Sequence, residues 1–326
     1  MRKFADWSIR YKLLALLLIL GLITFAATGT IAYLKSLQAL KQNATNQLSG
    51  ICRNKTFQIE SYYRAIHNHA MTLSSDRMFI DAMRQFDTAY RQVDATSVPA
   101  HVLEAVRQNY STQFYPQMKK LHIARPRVED YLPFNPASIQ LQYAYIVKNP
   151  YPPEQRRDLL SAGNSPYDRV HAKYHNAFRR ITEKFGYYDL YLIDYQSGRA
   201  VYDINKDRDF GTSLQDGPYR NSNLAKLWRQ CRATNNPDDV FFSDFEPDQA
   251  AKGEPTQWVA SSIFDGDERL GVFALQLSTD AIDDVLTGRR GWEKEGLGRS
   301  GLAMIVGSDY LLRTNLRPFL EDPARF

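Results

Sequence analysis

The spacing of hydrophobic positions changes along the chain, and its first pattern is a continuous apolar run. From Leu13 to Leu34 there are 22 residues without a single charge. An α-helix of this length reaches about 33 Å at ~1.5 Å per residue, enough to cross a hydrocarbon core of ~30 Å. The run exceeds the ~7–15 apolar residues of a signal peptide, with cleavage near Ala26 and Ala27 as the alternative. We therefore expect a transmembrane helix at 13–34.

The second pattern is helical spacing in the segment that follows the apolar run. Apolar residues recur at intervals near 3.6 from Lys35 to Phe86, and no proline interrupts them. This spacing predicts one long amphipathic stalk helix. Its apolar stripe needs a partner, which is the body of its own domain, a second copy of the chain, or both. We expect a homodimer that forms through the stalk helices.

Beyond the stalk, helical and alternating patterns are mixed, which indicates an α+β fold with an antiparallel sheet. Further helices are expected at 101–120, 167–184, 222–233 and 279–286, with a proline-rich loop stretch at 125–166. Strands are expected at 187–195, 199–204, 240–245, 257–264 and 270–277, and two more at 302–306 and 311–314. Two strands do not form a stable sheet alone, so we expect the last pair to be the start of a truncated second module.

The formal net charge of +5 bears on the membrane and not on nucleic acid. Most of the excess lies in the first twelve residues, ahead of the apolar run. A nucleic-acid binder spreads its excess over a binding face, so we expect no nucleic-acid partner. Four basic residues precede the span and three follow it closely, which favours a cytoplasmic N-terminus and an exported remainder after about residue 35.

Motifs of catalysis and cofactor binding are not supported by their context. The glycines of 296–301 match G-x-G-x-x-G, but a polar stretch precedes them and a strand follows, the reverse of a dinucleotide site. His171 and His175 have helical metal-ligand spacing without a third ligand or a general base. Cys52 and Cys231 form no zinc motif. We expect no enzyme, no cofactor and no metal site in this chain, with an unrecognised enzymatic site as a third hypothesis.

Aromatic residues are abundant, with 20 Tyr, 17 Phe and 4 Trp, and they are concentrated together with aspartates in the strand region. Aromatic walls around a carboxylate suit a small ammonium or amide ligand, through cation–π attraction and charge-assisted hydrogen bonds. The alternative is that the rings fill a core and the aspartates lie in turns. The candidate ligand-binding residues are Asp244, Tyr202, Trp258, Tyr219 and Tyr188.

The order of several short runs resembles the double Cache sensor domain of bacterial transmembrane receptors. These runs are FGYYDLYLIDYQSG (185–198), DFGTSL (209–214), GPY (217–219), FFSDF (241–245), WVASSIFD (258–265) and LGVFALQL (270–277). LGRSG (297–301) and VGSDYLLRT (306–314) are similar to the start of the second module. The resemblance implies two PAS-like lobes on a stalk helix, the distal one binding small ligands. Amino-acid-binding members carry an R-x-W-Y sequence, which this chain lacks.

The resemblance divides the chain into five segments. They are a cytoplasmic N-terminus (1–12), a transmembrane helix (13–34), a stalk helix (35–86), a membrane-distal Cache module (87–278), and a connecting helix with an incomplete proximal module (279–326). It implies a receptor in the bacterial inner membrane that passes a signal to a cytoplasmic chemotaxis, histidine kinase or cyclase output. The alternative is an exported, membrane-anchored interaction module without a small-molecule pocket.

Overall fold

The computed structural model describes residues 8–120, 125, 127–250 and 253–325. Of the predicted N-terminal segment, residues 1–7 lie outside this part of the chain, as does residue 326. The helices are α1 (Ile9–Ser75), α2 (Arg77–Asp94), α3 (Ala100–Asn109), α4 (Tyr115–Lys120), α5 (Pro136–Gln142), α6 (Pro166–Phe185), α7 (Asn223–Ala233), α8 (Thr279–Thr287) and α9 (Arg317–Glu321). The strands are β1 (Asp189–Asp194), β2 (Ala200–Asp203), β3 (Val240–Phe242), β4 (Glu246–Asp248), β5 (Glu254–Asp265) and β6 (Glu268–Ser278). The predicted α+β class is confirmed.

The first helix contains both the predicted span and most of the predicted stalk. Within α1, an 18-residue window has a mean hydropathy of 2.3 and none of it is buried inside the molecule. This is the one helix among the described residues that is long and apolar enough to cross a membrane. The chain therefore carries an N-terminal helix of membrane-spanning length and composition, continuous with the helix that packs on the folded body.

The stalk helix ends eleven residues earlier than its periodicity predicts. Asp76 has an extended backbone, and its carboxylate accepts a hydrogen bond from the Met78 N–H at 2.7 Å. Aspartate is a preferred N-cap because it satisfies a donor of the first helical turn, so a new helix begins at Arg77. Apolar spacing continues across the break, so the sequence pattern alone predicts one helix where the structure has α1 and α2.

The sheet is antiparallel throughout, with the order β2-β1-β6-β5-β3 and β4 paired to β5. Counting the five strands of the main path, the spatial order is second, first, fifth, fourth and third, as in a PAS-like module. The predicted strand 240–245 ends at Phe242 instead, and β4 begins at Glu246, beyond the predicted range. At the break, the Ser243 hydroxyl accepts the Trp258 N–H at 2.9 Å, so a side chain replaces the backbone acceptor that would continue the ladder.

Two further expectations need correction. The stretch 125–166 is not a plain loop, because it contains α5, a π-helical turn at Tyr143–Val147 and two short 3-10 helices. The two strands expected at 302–306 and 311–314 reduce to a single bridge between Val306 and Leu312. A lone pair of strands without further neighbours has little to stabilise a longer ladder.

The sheet separates two buried clusters of side chains. One face packs against α1, α2 and α6, and we call it the stalk face; it presents Leu190, Leu192, Val259, Phe273 and Leu275. The opposite face, which we call the far face, packs against α7 and the α3–α4 region. The far face presents Tyr191, Trp258, Ala260, Val272 and Ala274. The candidate site lies on the far face.

Candidate ligand-binding site

A cleft of about 680 Å³ opens at the edge of the far face. Ligand sites for small molecules usually have volumes of ~300–1,000 Å³. The lining comes from three segments, within 129–134, 216–223 and 246–249, together with Arg125 and Thr256. Two of these segments are irregular chain between helices and strands, and the third is β4 with the residue that follows it. The cleft is therefore built by connections held on a rigid sheet, as functional sites commonly are.

The charge of the cleft lining is mainly negative. Its carboxylates belong to Glu129, Asp130, Asp216, Glu246 and Asp248, and its guanidinium groups to Arg125 and Arg220. Five acids against two bases leave an excess of three negative charges. Lys226 pairs with Glu246 at 3.3 Å, and Arg127 pairs with Asp130 at 3.1 Å. With these two acids paired, the lining keeps an excess of one negative charge, which favours a ligand that carries positive charge.

Tyr219 supplies an unusual buried polar group in the wall of the cleft. Its side chain is 1% exposed, and no hydrogen bond of ordinary geometry reaches its hydroxyl within the described residues, where the Tyr110 hydroxyl is its polar neighbour. Arg125 lies over the Tyr219 ring at 5.7 Å and over the Tyr131 ring at 4.7 Å. A buried hydroxyl without a partner costs roughly 1–3 kcal/mol. Such a group is expected where a ligand or a water supplies the missing partner.

Two buried carboxylates lie beside aromatic rings beneath the cleft. The Trp258 indole N–H donates to Asp248 at 3.3 Å, and the Tyr191 hydroxyl donates to Asp209 at 2.7 Å. The two rings meet edge to face, with centroids 5.1 Å apart. Burial, and after it the neighbouring carboxylate of Asp248, raises the pKa of Asp209 well above its usual range. A cation placed between these carboxylates would relieve their repulsion.

Gln276 is the second unsatisfied group of this face. It lies on the central strand β6, paired with Trp258 on β5 and with Asp189 on β1. The residue is fully buried, and neither its amide nitrogen nor its amide oxygen has a hydrogen-bond partner within the described chain. Buried amides are almost always hydrogen-bonded, so this one marks a place where a polar partner belongs.

Tyr219 and Trp258 are the predicted residues that the structure brings to this region. Tyr202 is fully buried on the other side of the sheet, where its hydroxyl bonds to Nδ1 of His175 at 2.7 Å. Tyr188 is 36% exposed, at the start of the sheet and outside the cleft lining. A ligand-binding role of Tyr202 and Tyr188 stays a prediction. The structure does not bring either residue to the region of Tyr219 and Trp258.

Asp244 also lies outside the cleft lining. It follows β3, its side chain is 55% exposed, and Arg313 binds both of its oxygens, at 2.8 and 2.7 Å. These hydrogen bonds from the guanidinium lower the pKa of the Asp244 carboxyl. The carboxylate is therefore already paired with a cation of its own chain, and Asp248, four residues later, takes the position in the cleft.

Sequence reasoning did not single out Gln276, Asp248 or Asp209. The signal for Gln276 is present, since it is the one polar residue within the apolar run LGVFALQL at 270–277. Asp248 and Asp209 give no comparable signal, because each stands among other polar residues in a connection. His171 and His175 stack on one another at 4.3 Å inside the core, and the described residues contain no group of three or more ligating side chains fit for a metal ion.

Comparison with known proteins finds similarity to sensor domains. No protein-family model matches the chain, and no curated protein matches it. The ligand-binding domain of the Pseudomonas fluorescens chemoreceptor CtaA, in complex with L-serine, is 16% identical, with 49% of this chain and 57% of that chain covered and a TM-score of 0.30. The sensor domain of the V. cholerae histidine kinase DctB is 17% identical, with 56% and 59% covered and a TM-score of 0.28.

A third similar structure is the ligand-binding domain of the Campylobacter jejuni chemoreceptor Tlp3 with 4-methylisoleucine. It is 9% identical, with 74% of each chain covered and a TM-score of 0.29. The chain spans less than two thirds of the length of the first two domains. All three are receptor sensor domains, the class that the sequence motifs predict.

Proposed function

We propose that this chain is the ligand-receiving part of a membrane-anchored sensor, and that it binds a small compound with an ammonium group in the far-face cleft. The proposal rests on one observation, which concerns the wall of the cleft. There no hydrogen bond of ordinary geometry reaches the buried hydroxyl of Tyr219 from the described residues, within a lining of five carboxylates and two guanidinium groups.

The ligand chemistry follows from what the far face offers. An ammonium group donates several hydrogen bonds and carries charge, which matches carboxylates that have aromatic neighbours. Asp248 provides the charge, Asp209 is a neighbouring buried polar group, and Trp258 and Tyr191 provide the rings. The Gln276 amide accepts and donates at once, so it suits an additional polar group of the ligand.

The membrane part of the proposal rests on α1. Its apolar segment has the length and composition of a membrane span. We propose that it anchors the folded body next to a bilayer, and that this body is exported while the N-terminus stays cytoplasmic. Leu37, Leu40 and Leu48 are exposed on α1 between this segment and the body. We propose that they pack against a second copy of the chain, because a helix pair buries such a stripe. Light scattering in detergent would then give a dimer mass that Leu48→Asp lowers towards a monomer.

Ligand binding is tested by thermal unfolding of the full chain in detergent, with a panel of small primary and quaternary ammonium compounds. A ligand at 100 times its Kd adds about 2.7 kcal/mol and raises the Tm by roughly 5 °C in a protein of this size. We expect Asp248→Asn and Tyr219→Phe to reduce that shift strongly. Asp238→Asn, a matched change at an exposed carboxylate, should leave it intact.

Two results would contradict the proposal. One is that no ammonium compound raises the Tm while neutral or anionic compounds of similar size do. The other is a shift that Asp248→Asn and Tyr219→Phe leave unchanged, because the ligand would then bind elsewhere.

A further inference from the structure

The segment that ends at Asp248 in the cleft contacts the last part of the described chain through its first residue, Asp244. Four residues before Asp248, the carboxylate of Asp244 accepts two hydrogen bonds from the Arg313 guanidinium, at 2.8 and 2.7 Å. Arg313 also pairs with Asp309 at 2.8 Å and is only 11% exposed. Two-point contacts between a guanidinium and a carboxylate fix orientation as well as distance.

A second contact lies directly beside this ion pair. Phe245 is buried, and it packs with Ile282 and Leu286 of α8 and with Ile305, which precedes the turn at 307–310. The same small cluster includes Tyr62 of α1. Phe245 therefore belongs to a core that is separate from both faces of the sheet, where α1, α8 and residues 303–305 meet.

Only a short stretch of chain separates these contacts at Asp244 and Phe245 from Asp248 in the cleft. From Asp244 to Asp248 the chain spans at most about 14 Å, even if fully extended. Pairing of β4 with β5 extends over three residues only, off the main path of the sheet. Besides this short pairing, a displacement at one end of the segment is opposed by two contacts with α7, the Lys226–Glu246 pair and the hydrogen bond from the Asn223 amide to the Asp244 carbonyl.

We propose that residues 244–248 form a coupling element that links the occupancy of the cleft to the position of the turn segment 305–313. The Asp248 contact with Trp258 holds one end, and the Asp244–Arg313 pair with the Phe245 contacts holds the other. The coupling is reciprocal, as any equilibrium coupling must be. The ligand as its natural trigger rests on the proposed function, whereas the mechanical link is present in the chain alone.

Hydrogen exchange of the full chain in detergent, without any ligand, tests the link in the forward direction. Arg313→Met removes the ion pair at a position outside the cleft. We expect about two- to fivefold faster amide exchange in peptides that cover 246–250, the range set by an ion pair with one exposed partner. The matched control is Arg317→Met, which breaks a pair with Glu321, a contact over the Trp292 ring and hydrogen bonds to the carbonyls of Gly298 and Gly301, none of which involves residues 244–248.

The reverse direction uses the cleft end of the segment. Asp248→Asn should speed exchange in peptides that cover 305–313, whereas Asp238→Asn should not. Exchanging the charges, with Asp244→Arg and Arg313→Asp together in an Asp309→Asn background that removes the carboxylate beside position 313, should restore slow exchange at 246–250, because the pair is rebuilt with opposite polarity. This rescue separates coupling from general loosening of the fold.

The proposal is overturned if each substitution changes exchange only on its own side, or if Arg317→Met has the same effect as Arg313→Met. A failed rescue by the charge exchange also overturns it. The outcome is independent of the ammonium screen, which uses Tm shifts with ligand. Loss of the ligand response alone would contradict the proposed function and leave the coupling intact. Loss of the exchange effects alone would contradict the coupling and leave the proposed function intact.

Discussion

The two faces of the sheet differ in whether the polar side chains of the central strands β5 and β6 find partners. Among the described residues, the unpartnered atoms on the stalk side, His171 Nε2 and Arg179 Nε, belong to α6 and not to the sheet. On the stalk face, Gln257 accepts from the Tyr63 hydroxyl at 2.7 Å and donates to the Ser243 carbonyl at 2.8 Å. Ser261 accepts from the hydroxyl of Ser74 at 3.1 Å. On the far face, the Gln276 amide has no partner among the described residues.

Under the proposed function, this difference separates the stalk face, which attaches the sheet to the helices, from the far face, which binds the ligand. A fold that needs only stability has no reason to bury an unsatisfied amide on a central strand, because apolar residues of equal size would serve better. The stalk face behaves as a core that attaches the sheet to α1, α2 and α6. Under the proposed function, the unsatisfied amide on the far face is the cost of a binding site, where stability is given up for recognition.

The largest expected difference between the faces concerns neighbouring residues of β6. Leu275→Ala opens a cavity on the stalk face, where the residue is fully buried, and should lower the free energy of unfolding by about 2–5 kcal/mol. Gln276→Ala, one position along, removes no hydrogen bond and should cost clearly less. Chemical denaturation of the full chain in detergent measures both. Equal losses would show that the far face is packed as tightly as the stalk face.

A second comparison uses pH, because the histidines on the stalk side are held neutral. Burial, and after it the charge of Lys206, lowers the pKa of His175 to about 3. Nε2 of His175 donates to the Arg157 carbonyl at 2.6 Å, and Nδ1 faces the Tyr202 hydroxyl, which suits the neutral ring. Between pH 6.5 and 3 the unfolded chain binds more protons, so stability falls as the pH is lowered through this window.

We expect the wild-type chain to lose about 1–2 kcal/mol of stability between pH 6.5 and 5 through this histidine. His175→Gln should flatten that part of the stability curve, and His101→Gln, at an exposed histidine, should not. An unchanged slope in His175→Gln would mean that the site is open to protons in the folded state.

The smallest expected effects come from removing a single hydroxyl on each face. Tyr63→Phe loses the hydrogen bond to Gln257 and should destabilise the chain by about 1 kcal/mol. Tyr219→Phe loses no hydrogen bond of ordinary geometry among the described residues and should be neutral or slightly stabilising. Tm measurements compare the two, and a cost for Tyr219→Phe as large as that for Tyr63→Phe would contradict the difference between the faces.

Local patterns in the sequence predict much of the fold but little of the site. The strands near 189–194 and 268–278 and the helix near 166–185 follow from alternation and helical spacing, since these depend on near neighbours. The partner of Asp244 is Arg313, 69 positions away, and nothing near Asp244 reveals it. The same holds for Asp248 and Trp258, because a side-chain pair across strands depends on register.

The account depends most directly on whether the buried amide of Gln276 is kept for a ligand. The decisive measurement is thermal unfolding of Gln276→Met and of Gln257→Met, each with and without the ammonium compound that raises the wild-type Tm. We predict that Gln276→Met unfolds at a higher temperature than wild type and loses the ligand shift, whereas Gln257→Met unfolds at a lower temperature and keeps it. A Gln276→Met chain that is destabilised, or that still responds fully to the ligand, would contradict the account.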